Sequence, residues 1–245
     1  MSIRNEVTQM KETAPLLASS KEEIRNEALR RIIETLKSRK EEIFEANRKD
    51  REAARRDHIA PAVMKRLLFD EEKLASLVSG LEQLIRLPDP VGHITLAREL
   101  DAHLKLYRVT CPIGVIGIIF EARPDALVQI SALCIKSANC AILKGGKETK
   151  ETNRILFSLI HEAAVSAGLP EKAWLQAEQH SEIDELLQCD GLVDLLIPRG
   201  SNEFVRYIMD HTKIPVMGHA EGICHIYADK ACYKEKAIPV IIDAK

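Results

Sequence analysis

From residue 111 onward the chain alternates short apolar runs with amphipathic stretches, and this pattern constrains the fold more than any other feature. The runs are Val115–Phe120, Ala141–Leu143, Val193–Ile197, Pro215–Met217 and Ile223–Tyr227. Each is strand-sized, too short for a buried helix. Stretches of helical periodicity lie between them, near Asp125–Ser137, Thr149–Ala167 and Ser201–His211. Strands alternating with helices form βαβ units, so the pattern predicts an α/β fold with a Rossmann-like, doubly wound parallel sheet.

The preceding residues follow other periods. From Lys21 to Asp57 apolar residues recur at helical spacing, with Ser20 as the expected N-cap and Glu23 completing a capping box. Pro61 opens a short helix, and Asp70 caps another that runs to about Leu87. Pro88-Asp89-Pro90 then breaks the helical pattern, and alternation around His103–Tyr107 predicts an exposed β-ribbon within Leu96–Val109. The expected organisation is an N-terminal helical segment (1–90), a β-ribbon (91–110) and a nucleotide-binding domain (111–245). A final helical stretch starts near Lys230 and runs to Lys245 with no stop signal.

Composition narrows the function classes. The 35 Lys and Arg residues balance 37 Asp and Glu, a net charge of −2, which removes the electrostatic case for a nucleic-acid binder. No apolar run approaches the 18 residues that span a bilayer, so no membrane role is expected. The N-terminus has no apolar core of a secretory signal. The six cysteines form no CxxC pair and read as reduced thiols of a cytoplasmic protein. His219, Cys224 and His225 are not taken as a metal site, because adjacent strand residues point to opposite faces.

In an open parallel sheet, ligands bind beyond the C-terminal strand ends. Four polar turns follow the apolar runs: Glu121-Ala122-Arg123-Pro124, Lys144-Gly145-Gly146-Lys147-Glu148, Arg199-Gly200-Ser201 and Gly218-His219. In the second, the glycines let amides approach an anion, and the helix beginning near Thr149 offers its N-terminus to phosphate. Lys144 and Lys147 suit a 2′-phosphate, and Glu148 can accept from a ribose or adenine group. A plain β-to-α turn with surface lysines is the competing reading. Ser201 can cap a helix and Arg199 can hold a phosphate or carboxylate, or stand free in solvent. Arg123, extended because Pro124 follows, can instead pair with Glu121 or Asp125. There is no GxGxxG fingerprint.

The segment Val109–Asp125, with its Glu121-Ala122-Arg123-Pro124 turn, resembles the signature of γ-glutamyl phosphate reductases. Leu133–Asn139, Ile142–Glu148, Asp194–Gly200 and Gly222–Tyr227 resemble further motifs of that family in order. The resemblance implies the aldehyde dehydrogenase fold, with the ribbon in an oligomerisation region and a homo-oligomeric whole enzyme. It implies NADPH-dependent reduction of γ-glutamyl phosphate to glutamate-5-semialdehyde and phosphate in proline biosynthesis, through a cysteine thioester. It implies a cofactor cleft lined by Glu121, Ala122, Arg123, Pro124, Lys144, Gly145, Gly146, Glu148, Arg199, Gly200, Ser201, Gly218 and His219. In the family the nucleophilic cysteine follows an Ala-Lys like Ala244-Lys245, so it is expected beyond Lys245, together with the catalytic domain. No reductase activity is expected of these residues alone, and their fold is expected to be marginal or partner-dependent. A non-catalytic nucleotide-binding or interaction module is the alternative.

Overall fold

The computed structural model describes residues 2–121, 123–179, 181–218 and 225–244. Five helices open the chain: α1 (Ile3–Ala18), α2 (Glu22–Ser38), α3 (Lys40–Arg56), α4 (Pro61–Leu67) and α5 (Glu71–Arg86). Helix α1 was not anticipated, although Ile3, Val7, Met10 and Leu17 form a buried stripe at helical spacing. The expected continuous helix over Lys21–Asp57 is divided at Arg39, whose backbone leaves helical geometry (φ −109°, ψ 25°) and ends α2 while starting α3. No Gly or Pro marks that break. Asp70 caps α5 by accepting from the Lys73 amide at 3.0 Å. The capping box at Ser20 does not form: Lys21 holds the N-cap position without a side-chain bond, and Ser20 Oγ donates to the Leu17 carbonyl instead.

Strands β1 (Ile94–Asp101) and β2 (Leu104–Val109) form the expected antiparallel ribbon, exposed along its whole length. The parallel sheet contains β3 (Val115–Ile119), β4 (Cys140–Lys144), β5 (Trp174–Ala177) and β6 (Leu195–Pro198) in the order β5-β4-β3-β6. Strands β3 and β4 are buried at every position, which is why they read as unbroken apolar runs. The Pro215–Met217 run contributes a single parallel bridge, Val216 to Leu196, rather than a strand. Of the Ile223–Tyr227 run, residues 223 and 224 lie outside the described residues and 225–227 carry no strand. Strand β5 and helix α8 (Ser181–Leu187) were missed, being only four and seven residues long.

Helices α6 (Pro124–Lys136) and α7 (Lys150–Ser166) cover one face of the sheet, and α2, α3 and α5 pack outside them. On the other face lie α1 and α8. A Cβ at Gly117 would fall 2.5 Å from Leu196 of β6, so glycine makes room there for that side chain, beside Leu186 of α8. Helix α9 (Asn202–His211) joins α8 through Tyr207 Oη, which donates to Asp184 at 3.1 Å. One hydrophobic core runs from Ile3 to Ile214 through the sheet, so the N-terminal helices and the sheet fold as one body. Helix α10 (Lys234–Ala244) has no buried residue.

Candidate active site at the strand tips

Strands β4, β3 and β6 end at the same edge of the sheet. The winding reverses between β3 and β6, since β3 leads through α6 to β4 on one side while β6 flanks it on the other. A crevice is expected at such a switch point, and the structure has one: a groove of about 1150 Å³. Ile116, Ile118 and Phe120 from β3 and its tip, with Ile197 of β6, form its floor. One face of α6 forms a wall, with Ala126, Gln129, Ile130 and Leu133 at helical spacing.

Two of the four turns meet in this groove. Glu121 and Arg123 come from the turn after β3, Arg199 and Gly200 from the turn after β6. The Arg199 amide donates to the Ile119 carbonyl at 2.8 Å, so the two turns are tied together by backbone. A Cβ at Gly200 would lie 3.0 Å from Glu121 Oε1 and 2.9 Å from Phe204, so glycine permits this approach. Arg123 is extended (φ −142°, ψ 95°) and pairs with Asp125 at 3.1 Å, the competing reading of that residue. Pro124 begins α6. Ser201 caps α9, accepting from the Phe204 amide at 3.3 Å. Gly218 packs on α9, where a Cβ would lie 2.8 Å from Val205. Ala122 and His219 lie outside the described residues.

The turn after β4 does not line the groove, and three of its features correct the sequence reading. Lys144 is buried, and its ammonium donates to the Gly145 carbonyl at 2.7 Å rather than standing free. Burial pushes its pKa below the ordinary lysine value, against the pull of Glu182, Glu148 and Glu178. At Gly145 a Cβ would fall 2.1 Å from Asn153 Nδ2, so this glycine admits the α7 side chain. The N-terminus of α7 is already taken. Asp50 of α3 accepts from the Glu151 amide at 3.0 Å, the Thr152 amide at 2.8 Å and the Thr152 hydroxyl at 2.6 Å. Burial nevertheless raises the Asp50 pKa, outweighing those bonds. Lys147 remains exposed. Near the turns, three buried oxygens have no partner among the described residues: Asp125 Oδ1, Glu148 Oε2 and Asn153 Oδ1.

The sequence reading also missed residues of the site. Asp50, Lys65, Arg66 and Lys73 come from the N-terminal helices and carry no local signal, because only tertiary packing brings them to the strand tips. The α6 wall left one: Leu133 is 56% exposed, an apolar residue on a second helix face. Among the described residues no group of His, Cys, Asp and Glu could hold a metal ion, and no helix is long and apolar enough to cross a membrane.

A Rossmann-like sheet with its cleft at this switch point, helices before it and an exposed ribbon defines this part of the aldehyde dehydrogenase fold. Solved structures at low identity carry the same fold, including an NAD-dependent benzaldehyde dehydrogenase from Corynebacterium glutamicum (TM-score 0.64, 15% identity, 87% of this chain and 45% of that one). No family model matches the chain. Individual relatives do: it is 51% identical to the γ-glutamyl phosphate reductase of Acetivibrio thermocellus over 100% of this chain and 57% of that protein. The crystal structure of γ-glutamyl phosphate reductase from Thermotoga maritima superposes with a TM-score of 0.90 at 32% identity, over 98% of this chain and 58% of that one. The Saccharomyces cerevisiae reductase gives 0.83 at 39% identity, over 100% and 63%. The chain belongs to the γ-glutamyl phosphate reductase family, and it spans somewhat more than half the length of the relatives it matches.

Proposed function

We propose that these residues are the cofactor-binding and substrate-positioning part of an NADPH-dependent γ-glutamyl phosphate reductase, a cytoplasmic homo-oligomer that forms glutamate-5-semialdehyde and phosphate in proline biosynthesis. The observation that carries the reading is the meeting of Glu121 and Arg123 with Arg199 and Gly200 in one groove at the switch point. A bound nicotinamide supplies the hydride. Arg199, exposed beside a glycine, offers a bidentate donor to a pyrophosphate. Glu148 offers its unpartnered oxygen to a ribose hydroxyl. With Lys144 turned onto Gly145, Lys147 is left to meet a 2′-phosphate.

A second reading, a nucleotide-binding or interaction module without chemistry of its own, rests on the thiols. Burial raises Cys134 and Cys140 to about 12 and also raises Cys189. Cys111 is exposed, but it precedes β3 and so lies at the edge opposite the turns; Cys232 is half-buried in the segment before α10, and Cys224 lies outside the described residues. A thiol that ionises so reluctantly is a poor nucleophile. We infer that the 245 residues bind the cofactor without turning over. The test is NADP reduction with glutamate-5-semialdehyde and phosphate. No turnover above a protein-free blank is expected; phosphate-dependent turnover refutes the inference.

A further inference from the structure

The groove carries a charge asymmetry that neither the fold nor the turns explain. At its strand-tip end it is lined by Lys65 and Arg66 of α4 and Lys73 of α5, in addition to Arg123 and Arg199, and by one acid, Glu121. Helix α4 sits at that end because Asn47 donates both to the carbonyl of Leu67 and to Thr152 at the start of α7, just past the tip of β4. Lys73 Nζ donates to the Arg66 carbonyl at 3.1 Å, which fixes the two helix ends together. Among the described residues, no ion pair involves Lys65, Arg66 or Lys73, and three nearby acids are engaged elsewhere. Asp125 pairs with Arg123, Glu71 pairs with Lys40 and Asp70 caps the Lys73 amide. The other end, at Pro90, Val91 and Cys111, carries no charge. Three unpaired cations on one rim of a cleft in a chain of net charge −2 make a local trap for anions.

We propose that Lys65, Arg66 and Lys73 form a rim that takes the carboxylate of the substrate while its phosphoryl end lies at the turn of Arg123, so the groove selects acyl phosphates that bear a second anionic group. The proposal rests on the functional reading above and assigns a specificity role to helices outside the nucleotide-binding sheet.

The test uses two stable phosphonates and the 245-residue chain, by isothermal titration at low and high salt. The first, 2-amino-5-phosphonopentanoate, carries a carboxylate; the second, 4-aminobutylphosphonate, is the same molecule without it. The unmodified chain should bind the first more tightly, with the difference shrinking in salt. Lys65→Gln/Arg66→Gln/Lys73→Gln should weaken the first by about tenfold, each exposed charge contributing about two- to threefold, and leave the second within about twofold. Equal weakening of both phosphonates, or no weakening of either, overturns the proposal alone. If the unmodified chain binds neither phosphonate nor NADPH, the functional reading falls and the proposal with it.

Discussion

Removing Asp50 should loosen the strand-tip turn from a distance of about a hundred residues in sequence. Its carboxylate accepts three hydrogen bonds from Glu151 and Thr152 and is only 6% exposed. Asp50→Ala leaves two helix-end amides and one hydroxyl without an acceptor in a place water reaches poorly. A lost helix cap costs about 0.5–2 kcal/mol, and each buried polar group left unsatisfied about 1–3 kcal/mol. Partial access of water to the space vacated sets the expected loss at the lower end of the sum, about 3 kcal/mol. Asp50→Asn keeps one carbonyl acceptor and should lose about 1 kcal/mol. Urea unfolding followed by circular dichroism reads both: with a slope of about 3 kcal/mol/M, Asp50→Ala should lower the midpoint by about 1 M. A shift under about 0.2 M for Asp50→Ala would refute the claim that Asp50 holds the α7 N-terminus.

Two further outcomes follow from the same chemistry. Because burial raises the folded pKa of Asp50 above its ordinary 3.8, its contribution is fully present below that value and is lost as pH rises through the raised one. The stability advantage of the parent over Asp50→Asn should therefore be largest below pH 3.8 and shrink on going toward neutrality; an advantage that grows with pH would contradict the sign. Cys134 and Cys140, raised to about 12 by burial, should resist iodoacetamide at pH 8 while exposed Cys111 reacts, as read by peptide mass analysis. Labelling of Cys134 or Cys140 at the Cys111 rate would contradict their burial.

How much of this was legible in the sequence depended on the range of the determining contacts. Strands β3 and β4 were legible because a strand buried on both faces must be apolar throughout, and Ser201 and Asp70 because caps act over three residues. Strand β5 was not, since Trp174-Leu175-Gln176-Ala177 is too short to show a period. The break at Arg39 was hidden because the apolar stripe continues on both sides of it. At the site, Glu121, Arg123, Arg199 and Gly200 could be placed together from topology alone, because parallel strands must end at one edge. The turn after β4 misled for the opposite reason. A Lys-Gly-Gly sequence before a helix has the form of an anion cradle, yet Asp50, from α3, already occupies the helix end, and Asn153 fills the space beside Gly145. No local pattern shows that a side chain from another helix has taken the place of a ligand.

The switch-point cleft should bind a nicotinamide dinucleotide through the turns after β3 and β6. Equilibrium titration of NADPH into the chain, followed by cofactor fluorescence, tests it most directly when repeated with Arg199→Gln. Saturable binding at one site per chain, weakened at least about tenfold in the variant, is predicted from the loss of a charged hydrogen-bond donor. Absence of binding, or equal affinity in the parent and Arg199→Gln, would contradict it.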